Sequence, residues 1–226
     1  MKTIILLLHI YGNRERAIRS IEAMVNNELK DLDAIAHVST TENEWARVDI
    51  TGEDEEFSAN LLLSRYGSPV EKVDSGNVYR GYIQSIDDDS LVVNVGTVVS
   101  ISLEELKPLG MGKIRQIASR FGIISHLPVS VEINGNKKAR FTKEQVDLFW
   151  SWKKSSTDRV IANSVTRSEL KAVIKKTGHS RDIYGIERIG VMEHAIVCRE
   201  NTDGPGIVAE IGPLLKSEIG VVIGSG

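Results

Sequence analysis

Apolar residues crowd the start of the chain. KTIILLLHI runs almost unbroken over residues 2–10, and the polar stretch GNRER ends it. So short a run, rich in Ile and Leu, fits a buried strand. His9 interrupts it and no small-residue cleavage site follows, so a secretory leader is not expected. From Arg14 to Asn27 the period becomes helical, with Ile18, Ile21 and Val25 recurring among charges. DAIAHVST and EWARVDITG then alternate as two strands around TTEN. EDEEFSANLLLSRYG predicts a helix with acids in its first turn and a glycine beyond its last, the placement the helix dipole and C-cap favour. The order is β-α-β-β-α, most of a ferredoxin-like unit, and SPVEKVDSG is a linker or a weak fourth strand.

Beyond residue 76 the pattern changes. NVYRGYIQSI and SLVVNVG alternate and meet at DDD, which is hairpin chemistry. Three acids on one tight turn splay apart, so a solvated turn is expected there and not a metal site. MGKIRQIASRFG predicts a helix with Ile114, Ile117 and Phe121 inward, and LPVSVEING a short strand. TKEQVDLFWSWKK predicts another helix, with Val146, Phe149 and Trp150 inward.

The last third repeats the first pattern in full. DRVIANSV is a strand, and TRSELKAVIKKTGH a helix opened by a capping box, Thr166 at the N-cap and Glu169 three residues on. Leu170, Val173 and Ile174 form its apolar stripe. IYGIERIGV and EHAIVCRE are two further strands, GIVAEIGPLL a helix and IGVVIGSG a final strand. That makes β-α-β-β-α-β.

Composition narrows the class. With 41% hydrophobic and 26% charged residues in 226, the chain suits a folded protein with no apolar segment of membrane-spanning length. Its single cysteine, Cys198, excludes an intrachain disulfide and points to a reducing cytoplasm. The net charge of −3 hides a segregation: residues 1–100 hold 9 Lys+Arg against 17 Asp+Glu, and residues 137–188 hold 13 against 6. Such asymmetry suggests an anionic partner for the second half, or one end packing on the other.

Enzyme signatures are missing. LGMGKI lacks the spacing and the Ser/Thr of a phosphate-binding loop, and there is no GxGxxG, HExxH or GxSxG. The five histidines show no metal-ligand spacing. No catalytic residue, metal or cofactor is assigned, and a non-catalytic protein is expected. The most specific feature is a basic helix face. Arg167, Lys171 and Lys175 recur every four residues, Lys176 flanks them, and His179 and Arg181 follow in the turn beyond. Lys153 and Lys154 add charge upstream. Such a surface contacts phosphates by releasing their counterions, and it is equally the look of a solvated helix face.

Two resemblances add to this reading. GNVYRGYIQSI, a turn, SLVVNVG and later LPVSVEI resemble the strands of an S1-like OB barrel over residues 76–134. The resemblance implies single-stranded nucleic acid, with Arg80 and Tyr82 on one face of the first strand as contacts. The aromatic residues such barrels carry on their second and third strands are absent from SLVVNV and TVVSIS. Over its whole length, marked by GIERIGVMEHAIVCRENTDGPGIVAEIGPLL and TDRVIANSVTRSEL, the chain resembles an archaeal family defined by a domain of unknown function. That implies an archaeal cytoplasmic protein and no activity.

The expected fold is therefore α+β: two ferredoxin-like βαββαβ units, residues 1–70 and 140–226, flanking a small S1/OB-like β-barrel with an inserted helix at 76–135. The expected function is binding RNA, or association with the ribosome, through the basic helix and the barrel. The alternative is an ACT-like regulatory protein that binds a small metabolite at Asp203, Gly204 and Gly206, where a Gly-Pro-Gly turn opens a helix. That turn precedes the second helix of its unit and not the first, so an ordinary strand-to-helix turn is the better reading. A homodimer is compatible with either function, and neither calls for a membrane.

Overall fold

Three antiparallel sheets carry the fold in a computed structural model that describes residues 1–225. The chain divides into two units, residues 1–72 with the turn 95–97, and the remainder.

The first unit contains β1 (Lys2–His9), α1 (Arg14–Glu28), β2 (Ile35–Thr40), β3 (Trp45–Thr51) and α2 (Glu55–Tyr66). Its sheet has the order β1-β3-β2. Alternation places Ala46, Val48 and Ile50 of β3 and Ala36 and Val38 of β2 inside, with Ala17, Ile21 and Val25 of α1 also buried. Helix side chains protect the β2 edge. The Asn26 amide bonds both backbone groups of Ala36, at 2.8 and 3.0 Å, and Glu22 accepts the Val38 N–H at 2.8 Å. His9 packs beside the rings of Tyr11 and Trp45 and lies 3.4 Å from Glu44 Oε2. Burial holds its pKa below the usual value, against the pull of Glu44. The fourth strand of a complete ferredoxin-like unit is missing here, which corrects the expectation of two full βαββαβ units. SPVEKVDSG stays a linker. Pro69 brings no N–H, and the Gly67 carbonyl, just ahead of the segment, accepts the Leu7 N–H at 3.0 Å.

The second unit begins with β4 (Val78–Ile86), β5 (Ser90–Asn94), β6 (Val98–Ser102), α3 (Ile114–Arg120), β7 (Pro128–Ile133), β8 (Ala139–Phe141) and α4 (Lys143–Lys153). The five strands form one sheet in the order β6-β5-β4-β7-β8. The expected barrel does not close. The edge strands are short, five residues in β6 and three in β8, and a single isolated bridge joins the two margins, between Ser100 and Lys138. In α3, Ile114, Ile117 and Phe121 are buried as their spacing predicts. In α4 the inward set differs from the expected one. Gln145, Phe149 and Trp152 are buried, whereas Val146 and Trp150 are half-buried. Trp150 turns its Nε1–H to the Pro108 carbonyl at 2.9 Å, so the helix rotates to satisfy that indole at the rim.

The same unit ends with β9 (Arg159–Ala162), α5 (Arg167–Lys176), β10 (Ile183–Arg188), β11 (His194–Cys198), α6 (Gly204–Ile211) and β12 (Ile219–Val222). The sheet order β10-β11-β9-β12 completes the ferredoxin-like pattern. Leu170 and Ile174 of α5 and Ile207 and Ile211 of α6 bury themselves against Val160, Ala162, Ile196 and Cys198. Each such side chain is worth roughly 1.5–3 kcal/mol. Residues around Gly122 lie against the opposite sheet face. Gly122 has φ +61°, and a Cβ there would sit 2.8 Å from Val222 Cγ2. Three polar residues secure this junction. Asn163 donates to the Ser125 carbonyl at 2.8 Å and accepts the Glu218 N–H at 3.0 Å, and Glu218 accepts the Ser125 N–H at 3.2 Å.

Cys198 is fully buried in this core, and burial pushes its thiol pKa up to about 11. Native protein should therefore leave a thiol reagent such as DTNB unreacted at pH 8, and release one equivalent of chromophore only on denaturation. Rapid native labelling would contradict this packing.

Candidate functional site

The capping box predicted for α5 is present. Thr166 Oγ1 accepts the Glu169 N–H at 3.3 Å, and Glu169 Oε2 accepts the Thr166 N–H at 3.0 Å. This matters for electrostatics as well as for stability. Glu169 is the helix's one acid, and the cap engages it. Arg167, Lys171, Lys175 and Lys176 stand exposed on the outer side, opposite buried Leu170 and Ile174. Among the described residues none of the four forms an ion pair, nor does exposed Arg181. The ridge is an uncompensated row of positive charge about 15 Å long, from ten residues at 1.5 Å each.

Other residues expected at the interface have structural work. His179 is held by two carboxylates, Asp182 Oδ2 at 2.8 Å from Nδ1 and Glu210 Oε2 at 3.0 Å from Nε2. The Asp182 hydrogen bond first, and then Glu210, raise its pKa. Its charged form ties the turn after α5 to α6, a contribution present below the unfolded pKa and lost as pH rises through the folded one. Lys153 Nζ donates to the Ile223 carbonyl at 2.7 Å, and Lys154 lies 5.5 Å from the centre of the Trp150 ring. Arg80 is exposed on β4, but Tyr82 is only 8% exposed, between Asn94 and Pro128 on the neighbouring strands. The outer face of β5 and β6 carries Ser90, Val92, Asn94, Val98, Ser100 and Ser102, with no ring for stacking. The structure thus groups Arg167, Lys171, Lys175 and Lys176, and sets Arg80 and Tyr82 apart on another sheet.

The Gly-Pro-Gly turn is anchored from within. Asp158 Oδ2 accepts the Gly204 N–H at 2.9 Å, and its Oδ1 accepts the Gly224 N–H at 2.8 Å. A Cβ on Gly204 would lie 2.8 Å from that carboxylate. The donor that a ligand at Asp203, Gly204 and Gly206 would need first is already engaged, and a second acid, Asp203, sits beside Gly206.

The fold brings forward residues to which sequence reading assigns no functional role; His194, in a predicted strand, is expected there to be a satisfied structural group. Arg188 is exposed at the end of β10, directly across from His194. His194 is fully buried with no well-formed hydrogen bond at either ring nitrogen, and a looser backbone contact with Val165 pulls its pKa up against the effect of burial. Burial, reinforced by Arg188 and Arg167, depresses its pKa to about 4, so it is neutral at pH 7. A cleft of ≈ 450 Å³ opens where the end of β4, α3, residues 122–125 and β12 meet. Its walls come from three separate stretches of chain, which no local motif could announce.

Fold and surface together define a mixed α+β protein of several small antiparallel sheets, and among the described residues no helix is long and apolar enough to cross a membrane. Family models match nearly its whole length: the DUF2110 N-terminal domain at residues 3–72, the DUF2110 central domain at 73–153 and the DUF2110 C-terminal domain at 157–223. The chain belongs to the DUF2110 family. A search of curated proteins finds no match.

Proposed function

We propose that this chain is a non-catalytic RNA-binding protein of the cytoplasm, and that the exposed face of α5 is its phosphate-contacting surface. One observation carries the reading: Arg167, Lys171, Lys175 and Lys176 line one solvent face unpaired, while the helix's only acid is engaged in its cap. Exposed cations free of acidic partners are what a polyphosphate chain takes up in exchange for its counterions. The central sheet supports the reading less directly. Its strand order and the parallel bridge between Ser100 and Lys138 support reading it as an open S1/OB-like sheet. Its aromatic-poor outer face argues that phosphates on α5, and not stacked bases on β5 and β6, supply most of the binding.

A mixed-sequence single-stranded RNA followed by fluorescence anisotropy tests this. Lys171→Glu/Lys175→Glu should weaken binding at least about tenfold, since two attractive phosphate contacts become repulsive. Both side chains are exposed, so the melting temperature should stay within a few degrees of wild type. Equal affinity of the two proteins would overturn the assignment.

A further inference from the structure

The cleft beside β12 has a feature that the RNA reading does not use. β12 is the last strand of its sheet and pairs on one side only, with β9. The Asn163 N–H donates to the Glu218 carbonyl, which fixes the phase of the ladder. With Asn163 and Glu218 a bonded pair, the bonded pairs that follow are Ile161–Gly220 and Arg159–Val222. The N–H and C=O groups of Ile219 and Val221 therefore point away from β9, and both residues line the cleft. Among the described residues neither makes a backbone hydrogen bond on that side. An unpaired strand edge recessed in a cleft of ≈ 450 Å³ is matched by one kind of partner, an extended backbone.

The surroundings specify its chemistry. Ile123 and Ile124 give the cleft an apolar lining. Acids outnumber cations around it. Glu218 lines the cleft at the start of β12, and just beyond the lining Asp87 accepts a hydrogen bond from Ser85 at 3.0 Å and Asp88 pairs with the lining cation Arg115 at 2.7 Å. We propose that this cleft is a peptide-docking site, in which an extended segment bearing lysine or arginine adds to the β12 edge, its apolar side chains on the isoleucines and its cations near these acids. The β12 edge spans four residues, so the paired segment is about as long. The proposal is independent of RNA binding by α5, which lies on the opposite side of the sheet.

The probe is a fluorescein-labelled, end-capped pentapeptide of alternating lysine and valine, titrated with the full chain. Half-saturation in roughly the 10–100 µM range is expected. Two N-methylated forms, each blocking every second amide, should differ: one frame loses at least tenfold and the other binds like the parent, because only alternate amides face β12. The glutamate-for-lysine peptide should not bind. Val221→Pro removes a donor the ladder does not use, so the folded variant should lose the peptide. Equal binding by both N-methylated forms would exclude strand addition. Failure of the parent peptide to saturate up to about 1 mM would exclude the site. A dimer in light scattering that Val221→Pro converts to monomer would assign the edge to a second copy of this chain and overturn the proposal.

Discussion

Replacing Asp158 with alanine should destabilise the unit formed by residues 73–94 and 98–226 by about 3 kcal/mol, a loss of roughly 6–12 °C in Tm. The carboxylate bonds two backbone donors that no local structure satisfies, Gly204 N–H before α6 and Gly224 N–H after β12. Hydrogen bonds to a charged acceptor are worth roughly 1.5–3 kcal/mol, and removing the acceptor leaves both donors poorly hydrated. Asp158→Asn keeps one acceptor oxygen and should recover about half of the loss. Differential scanning calorimetry of the three proteins at pH 7 decides the matter. An alanine variant melting within 2 °C of wild type, a margin of roughly 1 kcal/mol or less, would show that the turn holds itself.

The second large effect is a fall in stability between pH 6.5 and 4 caused by His194. Its folded pKa of about 4 lies below the ordinary value of 6.5. Above pH 6.5 the imidazole is neutral in both states and its contribution is complete. As pH falls through that window the unfolded chain takes up a proton and the folded one does not, so folding weakens until pH 4, where both are charged. A separation of that size corresponds to roughly 3 kcal/mol. His179 has the opposite sign, but its contribution is already complete below its unfolded pKa, so its titration falls above this window and does not mask the loss. His194→Leu fills a similar volume without a proton site. Urea titrations should show this variant losing markedly less stability than wild type between pH 7 and 4.5. Parallel profiles would assign the acid sensitivity to carboxylates instead.

Much of the architecture could be read from local pattern, because the signals were local. The Thr166–Glu169 box, the Leu170/Ile174 stripe and the alternation in DRVIANSV and EHAIVCRE each lie within one element. Where pairing decided the outcome, the pattern fell short. β8 is three residues long, too brief to alternate, and barrel closure depends on how far such edges extend. Trp150 and Trp152 are two residues apart on one helix, and the choice between them turned on the Pro108 carbonyl, 42 residues away. The basic ridge was legible because helical spacing alone places it. Its lack of partners was not, since that depends on where every acid folds. Asp158 and the β12 cleft join residues 46 to 66 positions apart or more, and only tertiary structure assembles them.

The central claim, that α5 meets a polyphosphate, is tested most directly by the salt dependence of RNA affinity for the wild-type chain. If Arg167, Lys171, Lys175 and Lys176 each displace counterions from a single strand, log K should fall against log salt with a slope of roughly −2.8. A slope near zero, or no binding at about 20 mM salt where such contacts are strongest, would contradict the account.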